Sequence, residues 1–237
     1  MLATADALLL DVDVRARDAM LEALEKLLIA DEVELGVPAV PLTAIGVEGP
    51  GTAALLAGIG VEALPPGADA FDASEVRGPG RVLHVPADGA ATVWDALVAA
   101  GAEPCGMQAV EARRVEVGVP RIGVDMDGST LAIELPVEEL ISVTKGCYLG
   151  QEVIARGTAR GQVQRRLVGV RFDGGAPARG TPLRHAGKEV GRVTSIARAQ
   201  GAGEYIGLAL VRREHWAPGS ELETDAGRAR VAAFPIA

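Results

Sequence analysis

From residue 163 onward the chain leaves little room for anything but a small all-β domain. Gln164–Phe172, Thr181–His185, Glu189–Ala197, Tyr205–Arg212 and Arg228–Phe234 are short strand-like runs. Between them lie turn signals: Asp173-Gly174-Gly175, Ala186-Gly187-Lys188, Gly201-Ala202-Gly203 and Asp225-Ala226-Gly227. Short strands at this spacing, punctuated by glycine, predict a sandwich or barrel. The charge changes at nearly the same place. Residues 1–155 carry 9 basic and 25 acidic side chains, a net of −16, whereas residues 156–237 carry 14 and 7, a net of +7. Two breaks that coincide predict two domains, 1–162 and 163–237. Complementary packing of the two, or an anionic ligand along the basic side, would each account for the opposite signs.

Upstream, strands alternate with helices. Ala5–Val14 reads as a strand and Arg15–Ala30 as an amphipathic helix, with Met20, Leu24, Leu27 and Leu28 at helical spacing and Glu22 and Lys26 as an outer i,i+4 pair. Val33–Leu35 and Val40–Val47 read as strands, and Thr52–Ala57 as a short helix stopped by Gly58 and Gly60. Residues 65–80, rich in Pro, Gly and Asp, read as a loop. Arg81–Val85 is a predicted strand, Thr92–Ala100 a helix capped by Asp88 and ended by Gly101, and Met107–Arg114 a further helix. The expected class is α+β. An apolar strand at the very first residues lacks a neighbour, which suggests that N-terminal structure is missing or supplied differently.

Several function classes are argued against. Aromatic residues are 3% of the chain, which leaves few faces for stacking nucleobases, and the net charge is −9. Direct binding of RNA by the basic C-terminal part is therefore the weakest of the readings considered. Cys105 and Cys147 are far apart and form no metal-ligand or disulfide pattern. No basic leader opens the chain and no stretch is long and apolar enough for a bilayer, so a soluble, cytoplasmic, monomeric protein is expected.

Hydrolytic and phosphate-binding motifs are absent from the sequence. His84 alternates with Leu83 and Val85 and reads as a strand residue rather than a base. Asp11/Asp13 and Asp125/Asp127 have the spacing of cation ligands without the rest of such a site, and read as solvated loop carboxylates. Two stretches remain. Arg113-Arg114-Val115-Glu116-Val117-Gly118 offers a carboxylate that can accept two parallel N–H bonds, or else a surface ion pair. Lys145-Gly146-Cys147-Tyr148-Leu149-Gly150-Gln151-Glu152 holds one of only three lysines, beside a cysteine between two glycines. A cation beside a thiol near a helix start favours the thiolate. The residues alone leave open whether Cys147 is a reactive thiol or a small, partly buried side chain in a turn.

The octapeptide matches the signature Lys-Gly-Cys-Tyr/Phe-x-Gly-Gln-Glu at every fixed position, and Arg114-Val-Glu116-Val-Gly118 is similar to a shared Arg-x-Glu-x-Gly. On these residues the chain resembles the YgfZ family of folate-binding proteins, relatives of the glycine-cleavage T-protein (aminomethyltransferase). The resemblance implies ferredoxin-like α/β subdomains followed by a small C-terminal β-barrel. It implies tetrahydrofolate, or a one-carbon derivative, as cofactor. The implied role is accessory, in assembling or maintaining iron–sulfur proteins, including those that modify tRNA, and iron–sulfur proteins or their assembly machinery would be the partners. By position, Glu116 contacts the pterin, with Arg114, Tyr148, Gln151, Glu152 and Arg156 as further folate-site residues. Cys147, aided by Lys145, would serve as nucleophile, metal or cluster contact, or redox group. Arg156, Arg160, Arg165 and Arg166 would attract the anionic tail. Family members begin with a further segment that forms part of the folate cavity, so this chain is expected to be N-terminally truncated relative to them. The alternative from the same resemblance is a folate-dependent aminomethyltransferase.

Overall fold

The computed structural model describes all residues except 5, 31, 61–63, 137–140, 143, 144, 149, 161, 162, 200–202 and 237, and the backbone alone for 158–160. The chain forms two compact units, Met1–Cys105 and Gly106–Ala237. The expected division at 162/163 falls within the second unit, where the helix over 107–117 packs on the barrel strands, as described below.

In the first unit, β1 (Leu2–Ala3) and β2 (Leu8–Leu9) form a two-residue antiparallel ladder. The single strand expected over 5–14 is corrected by this hairpin and by Asp13. The Asp13 carboxylate accepts the backbone N–H of Arg15 at 2.9 Å and starts helix α1 (Val14–Glu25). The Glu22–Lys26 pair forms as expected. None of α1's side chains is buried. Residues 32–38, expected to include a strand, carry no regular structure.

β3 (Leu42–Glu48), α2 (Thr52–Ile59), β4 (Asp69–Asp72), β5 (Gly80–Pro86) and α3 (Ala90–Ala99) complete the unit. The sheet order is β3-β5-β4, all antiparallel. Ile45, Val47, Leu83 and Val85 project from alternate positions onto Leu56, Val93 and Leu97. The loop expected over 65–80 contains β4, whose flanking aspartates hid it while Phe71 is buried. Asp88 does not cap α3; that position is Gly89. His84 is a strand residue as read, and its Nε2 lies 3.0 Å from Asp11 Oδ1.

The second unit opens with α4 (Met107–Val117), one turn longer than the sequence indicated. A 3-10 turn spans Ala132–Glu134 and α5 spans Gln151–Arg160. Then β6 (Arg165–Gly174), β7 (Pro182–His185), β8 (Lys188–Arg198), β9 (Tyr205–Arg212), β10 (Glu221–Thr224) and β11 (Gly227–Ala232) close a barrel in the order β10-β11-β6-β9-β8-β7. Five of these six strands are those the sequence predicts. Glu221-Leu-Glu-Thr carries no strand pattern because Leu222, fully buried, is its only apolar residue. Even positions of β6 (Val168, Val170, Phe172) fill the interior with Leu183, Val193, Ala209, Val211, Leu222 and Val231. The opposite face of the wall, Leu167, Ile206, Leu208 and Leu210, packs against Val115 of α4, Leu135 and Ile236.

β8 carries a register shift between Val193 and Ser195, opposite Ala209 and Leu208 of β9. Thr194 is the inserted residue. Neighbouring side chains of a regular strand point to opposite faces, whereas a bulge re-aims them. Here the hydroxyls of Thr194 and Ser195 both reach Asp125.

Candidate functional site

Helix α4 is held to the barrel by one buried cluster. Arg114 is 1% exposed. Its Nε–H and one Nη2–H donate to Glu111, Nη1 donates to Asp125 Oδ2 (2.8 Å) and the Val119 carbonyl (2.6 Å), and Nη2 donates to Ser195 Oγ (2.7 Å). A guanidinium has five N–H donors, and all five are engaged. Asp125 is equally buried. It accepts from Arg114, the Arg121 backbone N–H (3.0 Å), Thr194 Oγ1 (2.6 Å) and Ser195 Oγ (2.7 Å). The solvated carboxylate expected at Asp125 is thus corrected: it is a saturated internal counter-ion. Burial alone would lower the Arg114 pKa, but its bonds to Glu111 and Asp125 raise it overall. With no donor left for a ligand, Arg114 is a positioning residue.

Two residues on, Glu116 occupies the last turn of α4. Its side chain is 27% exposed and Arg113 Nη1 holds its Oε1 at 3.0 Å, an i,i+3 pair. Its backbone carbonyl accepts the N–H of Ile236 at 2.7 Å. Gly118 ends the helix at φ +77°, with the Phe234 ring against its Cα. The alternation of cation and carboxylate read in 113–118 is therefore a helical pair on a clamped helix end.

The octapeptide leads into α5. Cys147 is exposed and unbonded to Cys105. The Lys145 ammonium lies over the Tyr148 ring, 4.6 Å from its centroid, so its described partner is the aromatic face. Gln151 Oε1 accepts the Tyr148 N–H at 3.2 Å while the Gln151 N–H donates to the Tyr148 carbonyl at 3.2 Å, a reciprocal closure of the turn. Glu152 and Arg156 form an exposed i,i+4 pair at 3.2 Å. Gly157 lets α5 approach the 3-10 turn, since any Cβ there would run into Ile133. Leu149 and the side chain of Arg160 lie outside the described residues.

The arginine run is largely committed. Arg165 grips Glu134 with two bonds of 3.0 and 3.1 Å, and that pairing raises the Arg165 pKa. Arg156 pairs with Glu152, and Arg166 also has a partner. All eight expected site residues fall in the second unit, and none lines its cleft beside the 123–130 loop. Asp125, Glu111, Thr194 and Ser195, which fix α4, were missed. The Arg114–Ser195 bond spans 81 residues and has no local signal.

Residues 165–236 match the glycine cleavage T-protein C-terminal barrel domain, and residues 80–145 match the GCVT N-terminal domain. The aminomethyltransferase of Rippkaea orientalis is 35% identical over 135 residues, covering 56% of this chain and 36% of that protein. That of Moorella thermoacetica is 34% identical over 166 residues, covering 66% of this chain and 45% of that protein. The chain thus spans less than half the length of these relatives. A crystal structure of glycine cleavage system aminomethyltransferase T from Bartonella henselae is similar in fold, with a TM-score of 0.77 and 21% identity over 94% of this chain and 66% of that one. These matches support the T-protein superfamily and its fold. Among the described residues no helix is long and apolar enough to cross a membrane.

Proposed function

We propose that the chain binds tetrahydrofolate, or a one-carbon derivative of it, at the C-terminal end of α4, and that it serves as an accessory factor in iron–sulfur protein assembly. Glu116 carries the reading. It is a partly exposed carboxylate, oriented by Arg113 on a helix end that Arg114 ties to the barrel. Such a group can accept two parallel N–H bonds from a pterin-like ring. Tyr148, in the turn before α5, and Gln151, Glu152 and Arg156, on α5 itself, would frame the same ligand. The exposed Cys147 supports the accessory role, since a thiol must be reachable to meet a cluster, a metal or a second protein.

Equilibrium titration with tetrahydrofolate tests the first half. Glu116→Gln keeps the shape and removes the charge, so affinity is expected to fall about ten- to a hundredfold. Equal affinities of variant and wild type would overturn the reading. A second reading, folate-dependent aminomethyl transfer, is favoured by the names of the relatives. Ammonia released from an aminomethyl donor only when folate is present would select it over the accessory role.

A further inference from the structure

Two of the chain's three histidines meet on the barrel, away from the site described above. His185 ends β7, and the two-residue turn Ala186-Gly187, at φ +49° and +76°, joins it to Lys188 of β8. A turn with both residues at positive φ follows the twist of its strands and fixes the end of the hairpin. His215 closes a 3-10 turn, Arg213–His215, directly after β9, and its neighbour Trp216 packs on the barrel interior. Both rings therefore stand on anchored backbone. Their centres are 4.6 Å apart and their planes are inclined at 38°. His185 Nδ1 lies 3.3 Å from the Glu221 carbonyl oxygen. A carbonyl can only accept, so Nδ1 carries the proton and Nε2 keeps its lone pair. His215 has no hydrogen-bond partner among the described residues.

Stacking accounts for the contact between the rings but not for the backing of His185 by a carbonyl. A ring N–H given to a backbone carbonyl is the arrangement that orients a metal-binding histidine and raises the basicity of its other nitrogen. The spacing agrees. Two imidazoles held on one metal by bonds of about 2.0–2.1 Å, at angles of about 90–110°, have ring centres roughly 4.5–5.2 Å apart. The pair already stands within that range. We propose that His185 and His215 form a two-histidine site for a divalent transition metal, with zinc as the simplest case. Imidazole nitrogen selects such ions over magnesium and calcium, which take oxygen ligands. No third His, Cys, Asp or Glu joins the pair among the described residues, so the remaining positions fall to water. A metal bound there ties the β7–β8 hairpin to the turn after β9. The inference stands apart from the folate reading, which uses neither histidine.

Proton–nitrogen NMR of the imidazole rings tests it on the full chain, where three histidines make assignment simple. Without metal, His185 should show the Nδ1–H tautomer. Zinc chloride should move the ring-nitrogen signals of His185 and His215 together, with one midpoint. His84, whose Nε2 is beside Asp11, should stay in place. Magnesium chloride should move none of the three. His185 is exposed, so His185→Phe should fold normally; it keeps a ring against His215 and removes the nitrogen. Zinc affinity read at His215 should then fall at least about a hundredfold, the upper end of what losing a supporting bond alone costs. Zinc held only by the exposed cysteines would leave both rings unmoved. That result in millimolar zinc overturns the proposal. So do separate midpoints for the two rings, or an unchanged response of His215 in His185→Phe.

Discussion

Arg114→Ala is expected to destabilise the second unit by about 3–5 kcal/mol, the largest effect of any single side chain in it. The cost arises less from lost attraction than from what is left behind. Asp125 is 1% exposed and would be left in the interior with its main counter-ion gone. The Val119 carbonyl and the Ser195 hydroxyl would lose a partner at the same stroke. In a chain of this size each kcal/mol moves Tm by roughly 2–4 °C, so calorimetry should show a fall on the order of 10 °C. Arg114→Lys supplies the control. It keeps the charge but not the fork that reaches five acceptors, and should recover only part of the loss. A Tm unchanged in Arg114→Ala would mean that the cluster contributes nothing net. The cluster should also be acid-sensitive. Bonds from Arg114, then the charge of Arg121, hold the Glu111 pKa below its ordinary 4.5 against the opposing effect of burial. A depressed carboxylate stabilises the fold above the unfolded-state value, and that contribution fades as pH falls through the folded one.

Gly118→Val should cost about 2–5 kcal/mol, from two sources that can be separated. The residue sits at φ +77°, where a side chain adds roughly 1–2 kcal/mol of backbone strain. A Cβ there would also lie 2.6 Å from two atoms of the Phe234 ring, and displacing that ring adds about 1–3 kcal/mol. A double-mutant cycle divides the sum. In a Phe234→Ala background the steric part disappears while the strain stays, so Gly118→Val should cost measurably less there, as read by urea unfolding. Additive costs would show that the ring moves aside freely. Because Gly118 terminates the helix that carries Glu116, tetrahydrofolate affinity should fall in the valine variant as well.

The barrel was legible because each strand is short, alternates and ends at glycine, so the information lies within ten residues. The exception shows the limit. β10 has one apolar residue in four and becomes a strand only because β11 and β7 lie on either side of it. The first 40 residues misled for the opposite reason. Their apolar residues have the pattern of a strand and an amphipathic helix, yet Leu8, Val14, Leu27 and Ile29 remain exposed. A periodic pattern promises burial and cannot supply the surface to be buried against. In the site, Glu116 and Cys147 stood out through their neighbours in sequence. Asp125 did not, because what distinguishes it comes from β8 and α4 rather than from the loop around it.

The bulge at Thr194 also bears on when the α4 end can exist at all. Ser195, which completes the Arg114 clamp, is 81 residues downstream, and Ile236, which bonds the Glu116 carbonyl, lies farther still. Contacts of such separation form late, because a long loop must close before they stabilise anything. During synthesis the helix emerges with a buried-type arginine and no counterpart on the barrel. For that interval it is a charged helix waiting for its socket. The clamped helix end that presents Glu116 is therefore complete only in chains whose barrel is already made, so the geometry around that carboxylate reports completed folding of the unit as well as the presence of the residue.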